Sequence, residues 1–193
     1  MTARGAVAFV RRHGIVLQAA RGPVPSLAEA VAGGPIRGSW WGHPQGQAIF
    51  AAAEAASEHA DVLVCKLVEG KVTYVHRRLW PALVSVGEAR QPWQVDPLTP
   101  RAAELLDEVN RTGRVRATGP SSKALARALL VHAEQVHTAG GSHATELVSW
   151  PAVRSAREIA ERLDPDTARR VLEEAAEGLD AVSGLPWVRN RTD

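Results

Sequence analysis

The residues best suited to chemistry form one string, Trp40-Trp41-Gly42-His43-Pro44, within a segment (33–44) that holds four glycines and two prolines. An exposed indole can stack on an extruded nucleobase or enter a base step as a wedge, and an imidazole can serve as acid or base. The same string can instead pack its indoles on the core while Gly42 and Pro44 turn the chain. We expect at least one buried Trp and keep a functional second ring and a catalytic His43 as hypotheses.

A second group of residues can contact phosphate. It comprises Lys66, Lys71, Arg77 and Arg78, which flank a predicted β-hairpin. Cations on a hairpin can contact the DNA backbone, and residues 1–95 carry ten basic against six acidic side chains. A polyanion is therefore expected to bind the N-terminal half, although each of these cations can also be an ordinary solvated charge.

A third group lies in the C-terminal half, where Ser121 and Ser122 precede Lys123 and Arg127. If a helix begins at these serines, its free amides and dipole favour an anion there, and the two cations add to the attraction. Simple helix capping with surface charge is the alternative. We include Lys123 and Arg127 among the candidate nucleic-acid contacts.

Signatures of metal and cofactor chemistry are weak. His137 and His143 lie on either side of a predicted turn, Ala139-Gly140-Gly141-Ser142, with Glu146 nearby, but no third strong ligand accompanies them. The single cysteine, Cys65, excludes a disulfide framework or a cysteine-cluster zinc site. The chain has no phosphate-binding loop, dinucleotide fingerprint or nucleophile elbow. We expect no metal and no cofactor.

The N-terminal half contains patterns for several helices and a hairpin. Residues 3–13 have helical spacing before Gly14, and 15–17 form a short strand. Ser26 and Glu29 form a capping box for a helix to about Ala32. The remaining predictions are an irregular segment 33–44, a helix over 45–59, a hairpin of strands 61–68 and 71–76, and a helix over 78–86. Helix, strand, helix, helix, hairpin is the element order of a winged helix.

The C-terminal half repeats this order without one helix. We predict a helix over 100–110 capped by Thr99, a strand over 114–116, a helix from Ser121 or Ser122 to about Ala133, and strands over 135–138 and 143–148. Two amphipathic helices follow Trp150-Pro151; the first runs through Leu163, and the second begins at Asp164-Pro165 and reaches Val182.

The expected fold class is α+β, with two degenerate winged-helix units and a C-terminal helical pair. The predicted ranges are 1–87 for the first unit, 88–99 for a linker, 100–150 for a shortened second unit and 151–193 for the helical pair packing on the units.

This arrangement resembles the tandem winged-helix proteins of the AlkZ-like DNA glycosylase group, and in particular its uncharacterised AlkZ-related branch. The blocks that carry the resemblance are Pro25-Ser26-Leu27-Ala28-Glu29-Ala30, Gly38-Ser39-Trp40-Trp41-Gly42-His43-Pro44, and Lys66-Leu67-Val68-Glu69-Gly70-Lys71-Val72-Thr73-Tyr74-Val75 followed by Arg77-Arg78-Leu79-Trp80-Pro81. They cover roughly residues 10–85, and the rest of the chain matches by topology alone.

The resemblance implies where a catalytic site would lie. Glycosylases of that group use a glutamine-centred motif near the end of an early strand to position water at a sugar carbon. In Leu17-Gln18-Ala19-Ala20, Gln18 matches the first position of that motif, whereas an alanine stands in place of the second polar partner. Gln45-Gly46-Gln47 has the right letters but follows a loop and opens a helix.

These observations leave three functional hypotheses. The first is a nucleic-acid-binding protein, chiefly of duplex DNA, that is linked to DNA repair and has no clear catalytic motif. The second is a protein-interaction or dimerisation module, suggested by the alanine-rich predicted helix 45–59. The third is a base-excision enzyme that uses Gln18 or His43 beside the tryptophan string.

Composition limits these hypotheses. With 193 residues, 45% apolar and 23% charged, the chain can fold around a real core. It has no apolar run approaching the ~18 residues of a membrane span and no apolar signal-peptide core after Met1. We therefore expect a soluble cytoplasmic protein with no membrane partner.

Overall fold

The computed structural model describes residues 1–137 and 143–189, so the predicted turn Ala139-Gly140-Gly141-Ser142 and the end of the predicted strand at Thr138 lie outside the described residues. The described chain is a mixed α+β protein that contains two three-stranded antiparallel sheets. It divides into two compact units. Unit 1 comprises Met1–Trp80 and Val171–Val188, and most of unit 2 is Pro81–Arg170.

Unit 1 begins with the predicted helix and strand, and both are confirmed. Thr2 caps the helix by accepting a hydrogen bond from the amide of Gly5, and Gly14 ends it with a φ of 79°. The elements of Met1–Trp80 are α1 (Ala3–His13), β1 (Ile15–Leu17), α2 (Leu27–Ala32), a 3₁₀ turn (Trp40–Gly42), α3 (Gly46–Ser57), β2 (Val62–Cys65), β3 (Thr73–His76) and a second 3₁₀ turn (Arg77–Leu79).

The sheet of unit 1 has the strand order β1-β3-β2, with both pairs antiparallel. β3 is buried along its whole length because it lies between two strands and beneath the helices. Packing of α1, α2 and α3 on the sheet forms one apolar core, in which Val10, Leu27, Ile49 and Tyr74 are buried.

Unit 2 repeats the strand order of unit 1. Its elements, with those that follow them to the end of the described chain, are α4 (Trp80–Glu88), α5 (Pro92–Val95), α6 (Pro100–Thr112), β4 (Arg114–Arg116), α7 (Pro120–Arg127), β5 (His132–His137), β6 (His143–Val148), α8 (Trp150–Ala156), α9 (Pro165–Glu177), a 3₁₀ turn (Val182–Gly184) and α10 (Pro186–Arg189). The sheet order is β4-β6-β5, again antiparallel throughout. Its core includes Leu106, Val109, Leu125 and Leu147.

The predicted helix from Ser121 or Ser122 to Ala133 is wrong at both ends. Gly119 is the residue before the helix and Pro120 its first residue, so neither serine is the cap. The helix stops after Arg127 because Leu129 adopts a φ of 54° and the amide of Leu130 bonds back to the carbonyl of Leu125. This turn buries both leucines and allows β5 to begin at His132, before the predicted Gln135.

The first predicted C-terminal helix is also shorter than expected. It ends at Ala156, and Glu158 has a φ of 52°. The buried guanidinium of Arg154 then binds the carbonyls of Ile159 and Glu161 at 3.1 and 2.6 Å and the carboxylate of Glu88 at 2.9 Å. These contacts replace the helical hydrogen bonds that the amphipathic pattern had predicted, because they satisfy carbonyls in a non-helical segment.

Three further differences are local. The last long helix begins at Pro165, with Asp164 capping it as predicted, but it ends at Glu177 and not at Val182. The segment 33–44 contains a 3₁₀ turn, and α5 lies inside the predicted linker 88–99. Short helices of this kind carry too few residues to show periodicity in sequence.

No helix among the described residues is long and apolar enough to cross a bilayer. The ranges predicted for the units, linker and helical pair stay predictions, and Val171–Val188 belongs to unit 1.

Candidate nucleic-acid interface

The densest group of cationic side chains in unit 1 lies where α1 ends. Arg11, Arg12 and His13 are the last residues of α1, and the chain returns to the same place through β3 because Ile15 of β1 pairs with Val75. We call the resulting group the α1-end cluster. It consists of Arg11, Arg12, His13, His76, Arg77 and Arg78.

Arg78 holds the α1-end cluster together. Its Nη1 donates to the carbonyl oxygen of Arg11 at 2.7 Å, and its Nη2 donates to that of Arg12 at 3.5 Å. These carbonyls are among the last four of α1 and have no partner within the helix. The guanidinium lies directly against Gly14, since a Cβ there would be 2.6 Å from Nη2 and would force the Arg78 side chain to shift.

The histidines of the α1-end cluster lie in an electropositive setting. Burial lowers the pKa of His13, and the guanidinium groups of Arg12 and Arg78 lower it further. Burial likewise lowers the pKa of His76, and the charge of Arg78 adds to this effect. Arg11 and Arg77 act on His76 in the same direction, while Asp61 opposes them. Such a field attracts an anion.

One carboxylate partly compensates the α1-end cluster. Asp61 accepts a hydrogen bond from Nη1 of Arg77 at 3.2 Å, with 65% of the Arg77 side chain exposed. Arg11 and Arg12 are exposed, and neither has an ion pair among the described residues. Because an exposed ion pair contributes only about 0–1 kcal/mol, Arg77 can exchange Asp61 for a phosphate at little cost.

The structure separates the four cations predicted at the hairpin. Lys66 and Lys71 follow β2 and precede β3 at the hairpin turn, whereas Arg77 and Arg78 follow β3 at its other end. Four residues of strand, about 13 Å, lie between these ends. Lys71 is exposed and Lys66 half-buried. Beside them, Arg21 and Glu69 form an ion pair at 2.7 Å.

The tryptophan string forms a capped 3₁₀ turn. Ser39 Oγ accepts from the amide of Trp41 at 3.4 Å, and the carbonyl of Trp40 accepts from the amide of His43 at 3.1 Å. The first residue of α3 packs closely under this turn, because a Cβ on Gly46 would lie 3.1 Å from the carbonyl oxygen of Trp41.

The two neighbouring indoles differ in burial. Trp40 is 8% exposed and belongs to the core of unit 1, which confirms the prediction of at least one buried ring. Trp41 is 65% exposed and stacks on Trp40, with centroids 3.9 Å apart. Its ring lies 5.8 Å from that of Phe50, which is 44% exposed. We call these two exposed rings the Trp41–Phe50 surface.

The catalytic candidates lie near opposite ends of α2. Gln18 directly follows β1, and its carbonyl accepts from the amide of Ala28 near the start of α2. His43 accepts at Nδ1 from the amide of Gln45, whose side chain donates to the carbonyl of Ala32 at the end of α2. The described contacts therefore do not bring Gln18 and His43 into one site.

Unit 2 carries the third predicted group on α7. Lys123 and Arg127 are exposed and four residues apart, so they share one face of the helix. Ser122 is buried, and its Oγ has no partner among the described residues. This pair belongs to unit 2, whereas the α1-end cluster belongs to unit 1.

The strand pairing in unit 2 sets His137 directly opposite His143. Glu146 instead forms ion pairs with two arginines: its carboxylate binds Arg114 at 2.7 Å and lies 3.8 Å from Arg116. Within residues 1–137 and 143–189, no group of three His, Cys, Asp or Glu side chains is placed to hold a metal.

Arg11, Arg12, His13 and His76 were missed as candidates by sequence reasoning. The consecutive bases before Gly14 are visible in sequence, but their meeting with Arg77 and Arg78 depends on pairing between residues about 60 positions apart. Searches against protein-family models, curated proteins and solved structures find no match.

Proposed function

We propose that the protein binds nucleic acid, principally duplex DNA, and that the α1-end cluster contacts the phosphate backbone. The observation that carries this proposal is the grouping of four guanidinium groups and two imidazoles at the end of α1, where the one carboxylate, Asp61, pairs with Arg77. A polyanion relieves the mutual repulsion of these cations, so the cluster favours phosphate over a neutral ligand.

The topology supports a winged-helix assignment for unit 1 within this proposal. The element order is α1, β1, α2, α3, β2, β3, and the first strand pairs with the third, giving the order β1-β3-β2. Unit 2 has the same strand order but one helix between β4 and β5, where unit 1 has two. The resemblance to AlkZ-related proteins and the link to DNA repair belong to the same proposal.

Base-specific contacts are not part of the proposal. In winged helices the third helix enters the major groove and reads base edges with Arg, Lys, Asn or Gln. The exposed face of α3 offers Gln47 but also Glu54, and Glu58 follows the last residue of the helix; both carboxylates repel phosphate. Backbone contacts alone give binding that depends strongly on salt and weakly on sequence. Lys71 at the hairpin can add to that contact in unit 1, and Lys123 and Arg127 on α7 can make phosphate contacts of their own in unit 2.

Fluorescence anisotropy with labelled duplexes of unrelated sequence tests the proposal. Wild-type protein is expected to bind all duplexes alike at low salt, with an affinity that falls steeply as salt rises. The double variant Arg11→Gln/Arg12→Gln should bind about ten-fold or more weakly, and its salt slope should fall by about 0.9 for each phosphate that the variant no longer neutralises. Arg78 stays unchanged in this variant because it also holds the end of α1.

A matched control removes the same charge elsewhere. Arg4 at the start of α1 and Arg101 in α6 are both exposed, and the variant Arg4→Gln/Arg101→Gln should bind within about two-fold of wild type. Equal losses in the two double variants, or no salt-dependent binding by the wild type, contradict the proposal.

Base excision is a narrower form of this proposal. Gln18 supports it by lying directly after β1, where the resemblance implies a catalytic glutamine. Release of a base from alkylated DNA, lost in Gln18→Ala or His43→Ala, is the expected result. Retained DNA binding with no release from several lesions removes the enzyme and leaves the binding protein.

A further inference from the structure

Two of the largest exposed apolar side chains in unit 1 touch one another. Among the described residues, the large hydrophobic side chains with high exposure are those of Met1, Trp41 and Phe50, and the latter two form the Trp41–Phe50 surface. Single exposed apolar residues are common, whereas contiguous exposed apolar surface is a feature of contact sites. Trp41 also stacks on buried Trp40, and this contact reduces the side-chain ordering that binding of a partner would cost.

The Trp41–Phe50 surface continues along α3. Gln47, Ala51, Glu54 and Glu58 are exposed and follow the spacing i, i+4, i+7, i+11, which places them in one row. Phe50 flanks this row, and Ala51 lies at its middle with only a methyl group. The opposite face of α3 is in the core of unit 1 through Ile49, Ala52, Ala53 and Ala56.

We propose that this face of α3 is a homodimer interface, in which α3 packs antiparallel on α3 of a second copy with the two-fold axis at Ala51. Gln47 lies four residues, about 6 Å, from Ala51 towards the N-terminus. Glu54 lies three residues, about 4.5 Å, towards the C-terminus. The two-fold axis therefore brings each Gln47 amide to the Glu54 carboxylate of the other copy, and the dimer contains this pair twice.

The polar groups of the face complement one another. The Gln47 amide lies at its N-terminal end and the carboxylates of Glu54 and Glu58 at its C-terminal end, so antiparallel packing sets the amide of one copy against a carboxylate of the other. Glu58 of each copy then approaches the N-terminus of the other α3, where the helix dipole stabilises a negative charge. Ala51 at the crossing point allows close approach of the two helices, while the aromatic rings fill the flanks.

Nucleic acid is a poorer occupant of this face. α3 has no Lys or Arg over Gly46–Ser57, and Glu54 and Glu58 repel phosphate. The dimer proposal does not depend on nucleic-acid binding by the α1-end cluster, so either can fail without the other.

Sedimentation equilibrium of the full chain tests the interface. The wild type should show a concentration-dependent dimer, and Phe50→Ser should raise its dissociation constant about ten-fold or more. Two substitutions of opposite charge at position 47 give a matched test. Gln47→Lys should tighten the dimer about five-fold, because the new ammonium group faces Glu54 of the other copy, and Gln47→Glu should weaken the dimer by a similar factor. Equal effects of Lys and Glu at position 47 overturn the proposed register.

Oxidative crosslinking tests the two-fold axis directly. Ala51→Cys should form a disulfide-linked dimer, since two cysteines at the axis come within bonding reach. The control Ala8→Cys is on an exposed position of α1 outside the proposed interface and should remain largely without a disulfide crosslink, and Cys65 is buried and does not compete.

Three outcomes overturn the proposal: a wild type that stays monomeric at high concentration, crosslinking at position 51 no faster than at position 8, and a Trp41→Ser variant that loses nucleic-acid affinity while its oligomeric state is unchanged. The last result assigns the exposed indole to base stacking instead.

Discussion

Nη1 of Arg78 lies 2.7 Å from the carbonyl oxygen of Arg11, although the two residues are 67 positions apart in the chain. The bond ties the residue that follows β3 to the end of α1. It also brings a further positive charge to the end of α1, because the Arg78 guanidinium binds helix carbonyls and does not neutralise the neighbouring guanidinium groups. The same contact therefore stabilises unit 1 and forms the centre of the proposed phosphate site.

Removing this guanidinium should destabilise the protein. Arg78→Ala leaves the carbonyls of Arg11 and Arg12 without their charged donor, and we expect a loss of about 1–2 kcal/mol in the free energy of unfolding. Arg78→Lys keeps the charge but loses the forked geometry, so its loss should be smaller. Urea denaturation gives both values, with Arg4→Ala at the other end of α1 as the control. A loss no greater than that of Arg4→Ala contradicts the capping role.

The two adjacent tryptophans should respond very differently to truncation. Trp40→Ala removes a ring that is 8% exposed, with an expected cost of about 3–5 kcal/mol. Trp41→Ala removes a ring that is 65% exposed and should cost less than about 1 kcal/mol. Thermal or urea unfolding at the lowest workable protein concentration separates the two, because association contributes least there. Comparable costs contradict the assignment of Trp40 to the core and Trp41 to the surface.

Gly87 in α4 should not tolerate a side chain. A Cβ there would lie 2.2 Å from Nε1 of Trp150, which is buried and donates to the carbonyl of Leu129. Gly87→Ala should lower the free energy of unfolding by about 1–3 kcal/mol, even though alanine favours helix. Gly178→Ala is the matched control, since a Cβ at Gly178 meets nothing within 4 Å. Equal unfolding midpoints for the two variants contradict the close approach.

The α1-end cluster should make stability and DNA affinity change oppositely with pH. The pKa values of His13 and His76 lie below the ordinary value because of burial and the neighbouring arginines. The folded state therefore resists their protonation, and stability that is complete above about pH 6.5 declines as the pH falls below it. Bound phosphate offsets the repulsion and favours protonation, so affinity for DNA should rise over the same range.

Urea unfolding and anisotropy at about pH 7.5 and about pH 5.5, on either side of the ordinary histidine pKa, measure both trends. The double variant His13→Gln/His76→Gln should show a weaker pH dependence of both stability and DNA affinity. Glu134 does not contribute over this range, because its hydrogen bond with His132 lowers its pKa and moves its effect on stability to more acidic pH. Unchanged pH dependence in the double variant contradicts the assignment to these histidines.

Sequence patterns predicted the first elements of unit 1 well, whereas the predicted strand 61–68 ends at Cys65 and the predicted strand 71–76 begins at Thr73. The cap at Thr2 went unpredicted, but the helix ending at Gly14, the Ser26 cap of α2 and the antiparallel pairing of β2 with β3 are confirmed. Each depends on residues close together in sequence. The end of α1 needs a glycine that accepts a positive φ, the cap of α2 needs a hydroxyl three residues before the amide that it binds, and the strand pair needs two β-rich segments joined by a turn.

Prediction failed where distant residues decide the local conformation. The amphipathic pattern after Trp150 continues through Leu163, yet the helix ends at Ala156 because Arg154 binds carbonyls beyond it and Glu88 from α4. The helix after Ser122 likewise stops early so that Leu129 and Leu130 can be buried. Helical periodicity indicates which face is apolar but not how far the core extends.

The sequence by itself determined the α+β character, the boundaries of α1, β1 and α2 and the surplus of positive charge in the N-terminal half, because helix caps, turns and charge are properties of neighbouring residues. Only the tertiary structure decided which charges meet: β1–β3 pairing brings Arg78 to Arg11 and separates both from Lys71. It also decided which indole is exposed, since Trp40 and Trp41 have the same chemistry and differ only in the side of the turn that packs on the core.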